Sequence, residues 1–142
     1  MREIKFRAWD KARKVMYDVD TIEMDILKDG SSNNQISGWD DTEWQCGIPL
    51  ENVELLQYIG CKDINGKEIY EGDIIERTDK TPVERFYGKK EIGIVEYKST
   101  RFLLKINQDN YYGLNRDDIF FSYMADYKVI GNIYENKELL EG

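Results

Sequence analysis

Leu55-Leu56-Gln57-Tyr58-Ile59-Gly60-Cys61-Lys62-Asp63-Ile64-Asn65-Gly66-Lys67-Glu68-Ile69-Tyr70-Glu71-Gly72-Asp73-Ile74-Ile75 is the stretch whose punctuation decides the fold. Two apolar runs, residues 53–60 and 67–76, flank Asn65-Gly66. That dipeptide suits a tight hairpin turn, because glycine enters positive φ with no Cβ penalty. Asp63 and Asn65 are turn formers as well. Gly72-Asp73 then ends one apolar run just ahead of another. Asn65, Gly66 and Gly72 therefore read as structural residues. Gly66→Val is expected to destabilise far more than Asp63→Ala.

The same logic extends outward. Ile4, Phe6 and Ala8 alternate with Lys5 and Arg7, and Val15, Tyr17 and Val19 alternate with Met16 and Asp18. Period two marks half-buried strands, so residues 3–20 predict a β-hairpin joined by a polar link at 10–14. Ile22, Met24 and Ile26 suggest a third strand. Residues 28–47 hold Asp-Gly, Ser-Ser, Asn-Asn and Ser-Gly, and read as a long loop carrying Trp39 and Trp44. Residues 91–97 and 101–107 predict another strand pair linked by Lys98-Ser99-Thr100. Asn115 with Asp117 and Asp118 resembles a helix start. Residues 127–134 read as a last strand, and Asn136 as the cap of a closing turn. Glycine at 72, 93 and 131 suggests bends or bulges. The expected fold is mainly β. An N-terminal β-hairpin or small sheet with its long loop (1–50) precedes a C-terminal SH3-like barrel with one short helix (51–142).

Charge is segregated. The chain of 142 residues has net charge −8. Residues 1–14 hold six basic and two acidic side chains, and residues 15–76 hold three basic and fifteen acidic ones. Residues 77–105 return to net +4. An acidic chain is repelled by nucleic acid and anionic membrane except where a basic patch stands apart. No run approaches membrane-spanning length and no apolar leader follows Met1. The expected location is the cytoplasm, with Cys46 and Cys61 as reduced thiols.

Catalytic chemistry finds little support. There is no histidine, and the two cysteines lack metal-ligand spacing. Asp63-Ile64-Asn65-Gly66 begins like a calcium loop, but Glu68 and Ile74 stand where that loop needs glycine and a bidentate glutamate. Asp40-Asp41 reads as solvated loop. No phosphate-cradling glycine motif occurs. No metal, cofactor or catalytic residue is expected.

Three stretches resemble the YopX family. They are Met1-Arg2-Glu3-Ile4-Lys5-Phe6-Arg7-Ala8-Trp9-Asp10 with Lys14 and Met16; residues 56–74; and Val129-Ile130-Gly131-Asn132-Ile133-Tyr134-Glu135 through Leu140. They come in the family's order. Ile59, Cys61 and Lys137 depart from its usual residues, which affects packing and a turn. The resemblance implies a β-rich fold with an SH3-like barrel in its later part. It also implies a phage or prophage origin in a Gram-positive bacterial host. It implies no activity.

The function this supports is a non-catalytic accessory protein that binds an unknown protein partner or assembles with itself. Tryptophan is enriched at binding hot spots, so Trp39 and Trp44 are candidate contacts. The alternative is nucleic-acid binding, through the basic N-terminal strand or through residues Arg77 to Lys105. Arg2, Lys5 and Arg7 with Trp9 place cations around an aromatic ring, a combination that pairs with backbone phosphates and stacks on bases. The acidic middle imitating DNA toward a host protein is a further alternative.

Overall fold

The computed structural model describes residues 3–25, 27–114 and 124–141. Its strands are β1 (Phe6–Asp10), β2 (Val15–Glu23), β3 (Gln35–Trp39), β4 (Trp44–Pro49), β5 (Val53–Lys62), β6 (Glu68–Tyr70), β7 (Asp73–Asp79), β8 (Lys90–Lys98), β9 (Arg101–Lys105), β10 (Tyr111–Gly113) and β11 (Ala125–Asn132). Two short 3-10 turns, Leu50–Asn52 and Lys137–Leu140, complete the described elements. The chain divides into two compact units, Ile4–Gln57 and the described residues from Tyr58 onward. Strand β5 belongs to both: its first half pairs with β1 and its second half with β6.

In the first unit the strand order is β4-β3-β2-β1-β5, with antiparallel neighbours. Ala8, Tyr17, Ile36, Ile48 and Val53 form its core, with Val15, Val19, Ile22, Leu50 and Leu55 packed against them. Asp10 ends β1 and shapes the next turn: its Oδ1 accepts the N–H groups of Ala12 and Arg13. The expected N-terminal hairpin is present. The expected third strand is not a separate element. Strand β2 continues without a break to Glu23, a bulge near Thr21 keeping Ile22 toward the core. Met24 lies outside the strand and exposed.

Residues 28–47 are not one long loop. Two strands, β3 and β4, occupy most of the second half and form a hairpin. Ile36 pairs with Ile48, and both are buried. One inward apolar pair among many turn formers is enough when its two residues meet each other. Gly38 is in the sheet because a Cβ there would collide with the backbone carbonyl of Asp18. Cys46 and Gly47 oppose Ser37 in a bulge, which Gly47 enables at φ +67°.

The second unit has strands in the order β10-β9-β8-β7-β11, again antiparallel. Ile59, Cys61, Ile69, Ile75, Val95, Leu104, Leu114, Ala125, Tyr127 and Val129 make its core. The mainly β class holds. Among the described residues these five strands form an open sheet and do not close into a barrel. The short helix expected from Asn115 falls on 115–123, outside the described residues. Gly131 follows a bulge in β11, and the Asn136 side chain lies where its Cβ would be. Asn136 does stand before the closing turn, but its Oδ1 accepts the Asn132 N–H instead of capping the turn.

The quoted stretch folds differently from the tight turn expected. Asn65 and Gly66 are not its two central residues. Ile64 and Asn65 are, closed by Gly66 N–H donating to the Asp63 carbonyl at 3.0 Å, and only Gly66 has positive φ, +81°. Asp63 organises this loop. Its Oδ1 accepts the N–H groups of Asn65 (2.9 Å) and Lys67 (2.8 Å), and its Oδ2 accepts the Val129 N–H of β11 at 2.9 Å. The side chain is buried, so the expectation that Asp63 matters little is overturned. At the next bend, Gly72 has φ +80°, its N–H donates to the Val95 carbonyl, and Asp73 Oδ2 accepts the Tyr70 N–H at 2.8 Å.

Candidate functional site: an exposed tryptophan hairpin

The β3–β4 hairpin carries the two tryptophans at its open end. Trp39 closes β3, Trp44 opens β4, and the register places them directly opposite each other. They are 55% and 45% exposed. Residues paired across an antiparallel sheet share a face. The same row continues through Asp18, opposite Trp39, and Arg7, opposite Asp18. Asp40, Asp41, Thr42 and Glu43 form the connection. Its shape is set by Asp40 Oδ1, which accepts Thr42 N–H at 2.7 Å, Glu43 N–H at 2.8 Å and the Thr42 hydroxyl at 3.0 Å. The backbone N–H groups of Glu43 and Thr42 hold the Asp40 carboxyl below its usual range, helped by the Thr42 hydroxyl and the charge of Arg13. Asp40 is therefore a turn anchor and not free loop, while Asp41 is exposed.

Two bulky indoles thus stand in water on ordered strands, fixed by the Ile36–Ile48 pair behind them and by the Asp40 turn ahead. The long-loop expectation for Trp39 and Trp44 is corrected. Their exposure holds a different meaning in a strand pair, because the rings' backbone positions are already set before any partner arrives.

The N-terminal candidates separate. Lys5, Arg7 and Trp9 do share one side by period two, but Trp9 is only 7% exposed and is not available as a stacking platform. Lys5 and Arg7 are half-buried. Arg2 lies outside the described residues. Asn65, Gly66 and Gly72 shape backbone, as described above.

One charged cluster in the second unit was not singled out from sequence. Arg77, buried on β7, stacks 4.0 Å from the centre of the Tyr112 ring, with Tyr127 at 5.9 Å. Its guanidinium lies 3.3 Å from Asp79 Oδ2 and 3.9 Å from Glu91 Oε1. The Tyr112 hydroxyl donates to Glu91 Oε1 at 3.0 Å. Burial, then that bond, raise the Tyr112 phenol above its ordinary value, so it stays a donor. The residues pair across β7, β8 and β11, with Arg77 opposite both Glu91 and Tyr127. The arrangement neutralises a buried cation and extends the core. It offers no open nucleophile.

Among the described residues, no group of three or more His, Cys, Asp or Glu side chains could hold a metal. Cys61 is buried, and burial pushes its thiol up to about 11, whereas Cys46 is exposed on β4. No helix among the described residues is long and apolar enough to cross a membrane.

A family profile described as YopX protein matches residues 5–141. Two solved structures are similar over nearly the whole chain. Protein EF1440 from Enterococcus faecalis shares 26% identity with a TM-score of 0.60, covering 99% of this chain and 100% of its own. Protein yopX from Bacillus subtilis shares 20% identity with a TM-score of 0.60, covering 100% of this chain and 98% of its own, and shows likeness of fold. No curated protein matches.

Proposed function

The chain belongs to the YopX family, and for it we propose a non-catalytic role as a protein-binding module, an accessory protein of a phage or prophage acting in the bacterial cytoplasm. The observation that carries this reading is the Trp39–Trp44 pair, exposed on paired strands and not on a loop. Two adjacent exposed indoles make a contiguous apolar patch, and large aromatic side chains dominate the energetics of protein interfaces. Rings held on strands also lose little conformational freedom on binding, which favours affinity. The test compares wild type with a Trp39→Ala/Trp44→Ala variant in affinity capture from bacteria that carry the gene. A partner retained by wild type and lost by the variant supports the reading. A partner set unchanged by the variant removes the hairpin from it.

A second reading, single-stranded nucleic-acid binding, is favoured by a different surface from the N-terminal strand. The β8–β9 hairpin ends in Tyr97 opposite Phe102, rings 5.1 Å apart, and Lys98 opposite Arg101, with the Lys98 ammonium 5.0 Å from the Tyr111 ring centre. Cations interleaved with exposed aromatics suit a phosphate backbone and its bases. Electrophoretic retardation of single-stranded DNA at two salt concentrations tests it, because phosphate contacts weaken steeply with salt.

A further inference from the structure

We propose that the tryptophan hairpin receives a cationic side chain, an arginine or lysine presented by a partner protein, seated against Trp39 and Trp44 and flanked by carboxylates. This deepens the protein-binding reading and rests on it. Exposed indoles alone would accept any apolar surface. What selects a cation here is the charge around them. Residues 15–57 hold ten acidic side chains and one basic one, Lys28. The hairpin itself has no basic residue, and its charges are Asp40, Asp41 and Glu43, all between the two tryptophans in sequence. Asp18 adds a fourth carboxylate opposite Trp39.

The protein's own cations near this row are Arg7 and Arg13. Arg13 acts on Asp40, Arg7 stands opposite Asp18, and Asp41 and Glu43 are exposed in the connection between the two tryptophans. An indole face attracts a guanidinium or ammonium through its quadrupole, most strongly among aromatic side chains. Adjacent carboxylates add long-range attraction and speed encounter with a basic partner. The same field repels nucleic acid and anionic lipid. The geometry of attraction already occurs in this molecule, where Arg77 stacks on Tyr112 with carboxylates at its edge.

The probe is a short blocked peptide of glycine, serine and arginine, with a twin carrying citrulline at each arginine. Citrulline keeps the shape and removes the charge. Binding is followed by tryptophan fluorescence and by calorimetry, at low and at high salt. The expected result is saturable binding of the arginine peptide that weakens with salt and is absent for the citrulline twin. Trp39→Ala and Trp44→Ala should each weaken it by about fivefold or more, the scale of a partly desolvated cation–π contact. Asp41→Asn should weaken it less and reduce its salt dependence, while Trp44→Phe should retain most of it. Far-UV circular dichroism checks that each variant is folded, and both rings are exposed enough to be replaced without opening a core. Equal binding of the two peptides, still lost on removing the tryptophans, would overturn the cation while leaving the hairpin as a protein-binding surface. No binding of either peptide, or binding indifferent to both tryptophans, overturns the proposal outright. So does concentration-dependent self-association that occupies the hairpin and excludes the peptide, because the occupant is then a second copy.

Discussion

Asp63→Ala should be among the most destabilising single changes in the second unit, and more damaging than any small substitution at Gly66. Removing the carboxylate strands three backbone N–H groups at once. That of Val129 is buried in β11 and has no route to water, so it costs about 1–3 kcal/mol to leave unsatisfied. Those of Asn65 and Lys67 lie in the loop and can turn to solvent, so each loses only the net worth of a hydrogen bond, about 0.5–1.5 kcal/mol. The sum is about 2–6 kcal/mol, a large part of the roughly 5–15 kcal/mol that holds a domain folded. Gly66→Ala meets no atom within 4 Å, so its cost is the left-handed backbone alone, about 1–2 kcal/mol. Asp63→Asn should fall between them, since one amide oxygen can still serve either the loop or Val129. Urea unfolding followed by far-UV circular dichroism measures the order. All three tryptophans lie in the first unit, so fluorescence would report the wrong part. Amide exchange at Val129 should accelerate in Asp63→Ala and stay slow in Gly66→Ala. If Asp63→Ala costs no more than Gly66→Ala, or Val129 keeps its protection, the carboxylate is not the fastener described.

The β8–β9 turn is built from Ser99 and Thr100 at φ +52° and +67°, unfavourable for a β-branched residue, so a Ser99→Asn/Thr100→Gly variant should raise stability by about 1–2 kcal/mol in urea. A thiol reagent should label Cys46 in the folded protein and Cys61 only after unfolding, since Cys61 is both buried and shifted up to about 11; mass spectrometry of the labelled peptides distinguishes them. Asp79 is held below its ordinary value by the side chain and backbone of Thr81 and then by Arg77. A depressed folded pKa stabilises the fold above the ordinary carboxylate range, and that contribution is lost as pH falls through the folded value. Asp79→Asn should therefore lower the urea midpoint near neutrality, change it little below the folded value, and so flatten its decline on acidification.

The strands most legible in the sequence were those whose inward residues alternate without interruption. Phe6, Ala8 and the run from Val53 are examples, because one buried face leaves a period-two trace wherever the other face is polar. The β3–β4 hairpin was hidden by its own construction. Gly38 lacks a side chain because the Asp18 backbone takes that space, and Gly47 permits a bulge, so both imitate loop composition while serving a sheet. Asp63 and Arg77 were hidden for a different reason. A turn-forming aspartate and a strand arginine are ordinary at the surface. What makes these two matter is a partner supplied by distant sequence: Val129 lies 66 residues beyond Asp63, and Tyr112 and Tyr127 reach Arg77 only through the sheet order. Local pattern encodes which face is buried, and it cannot encode which remote donor or ring will meet a charge there. The tryptophans invert that case. Their exposure departs from the inward-facing pattern of their own hairpin, and with Ile36 and Ile48 buried behind them the departure is not explained by a failure to fold. Two indoles exposed opposite each other on paired strands, with carboxylates next to them in sequence, are the feature on which the protein-binding proposal stands.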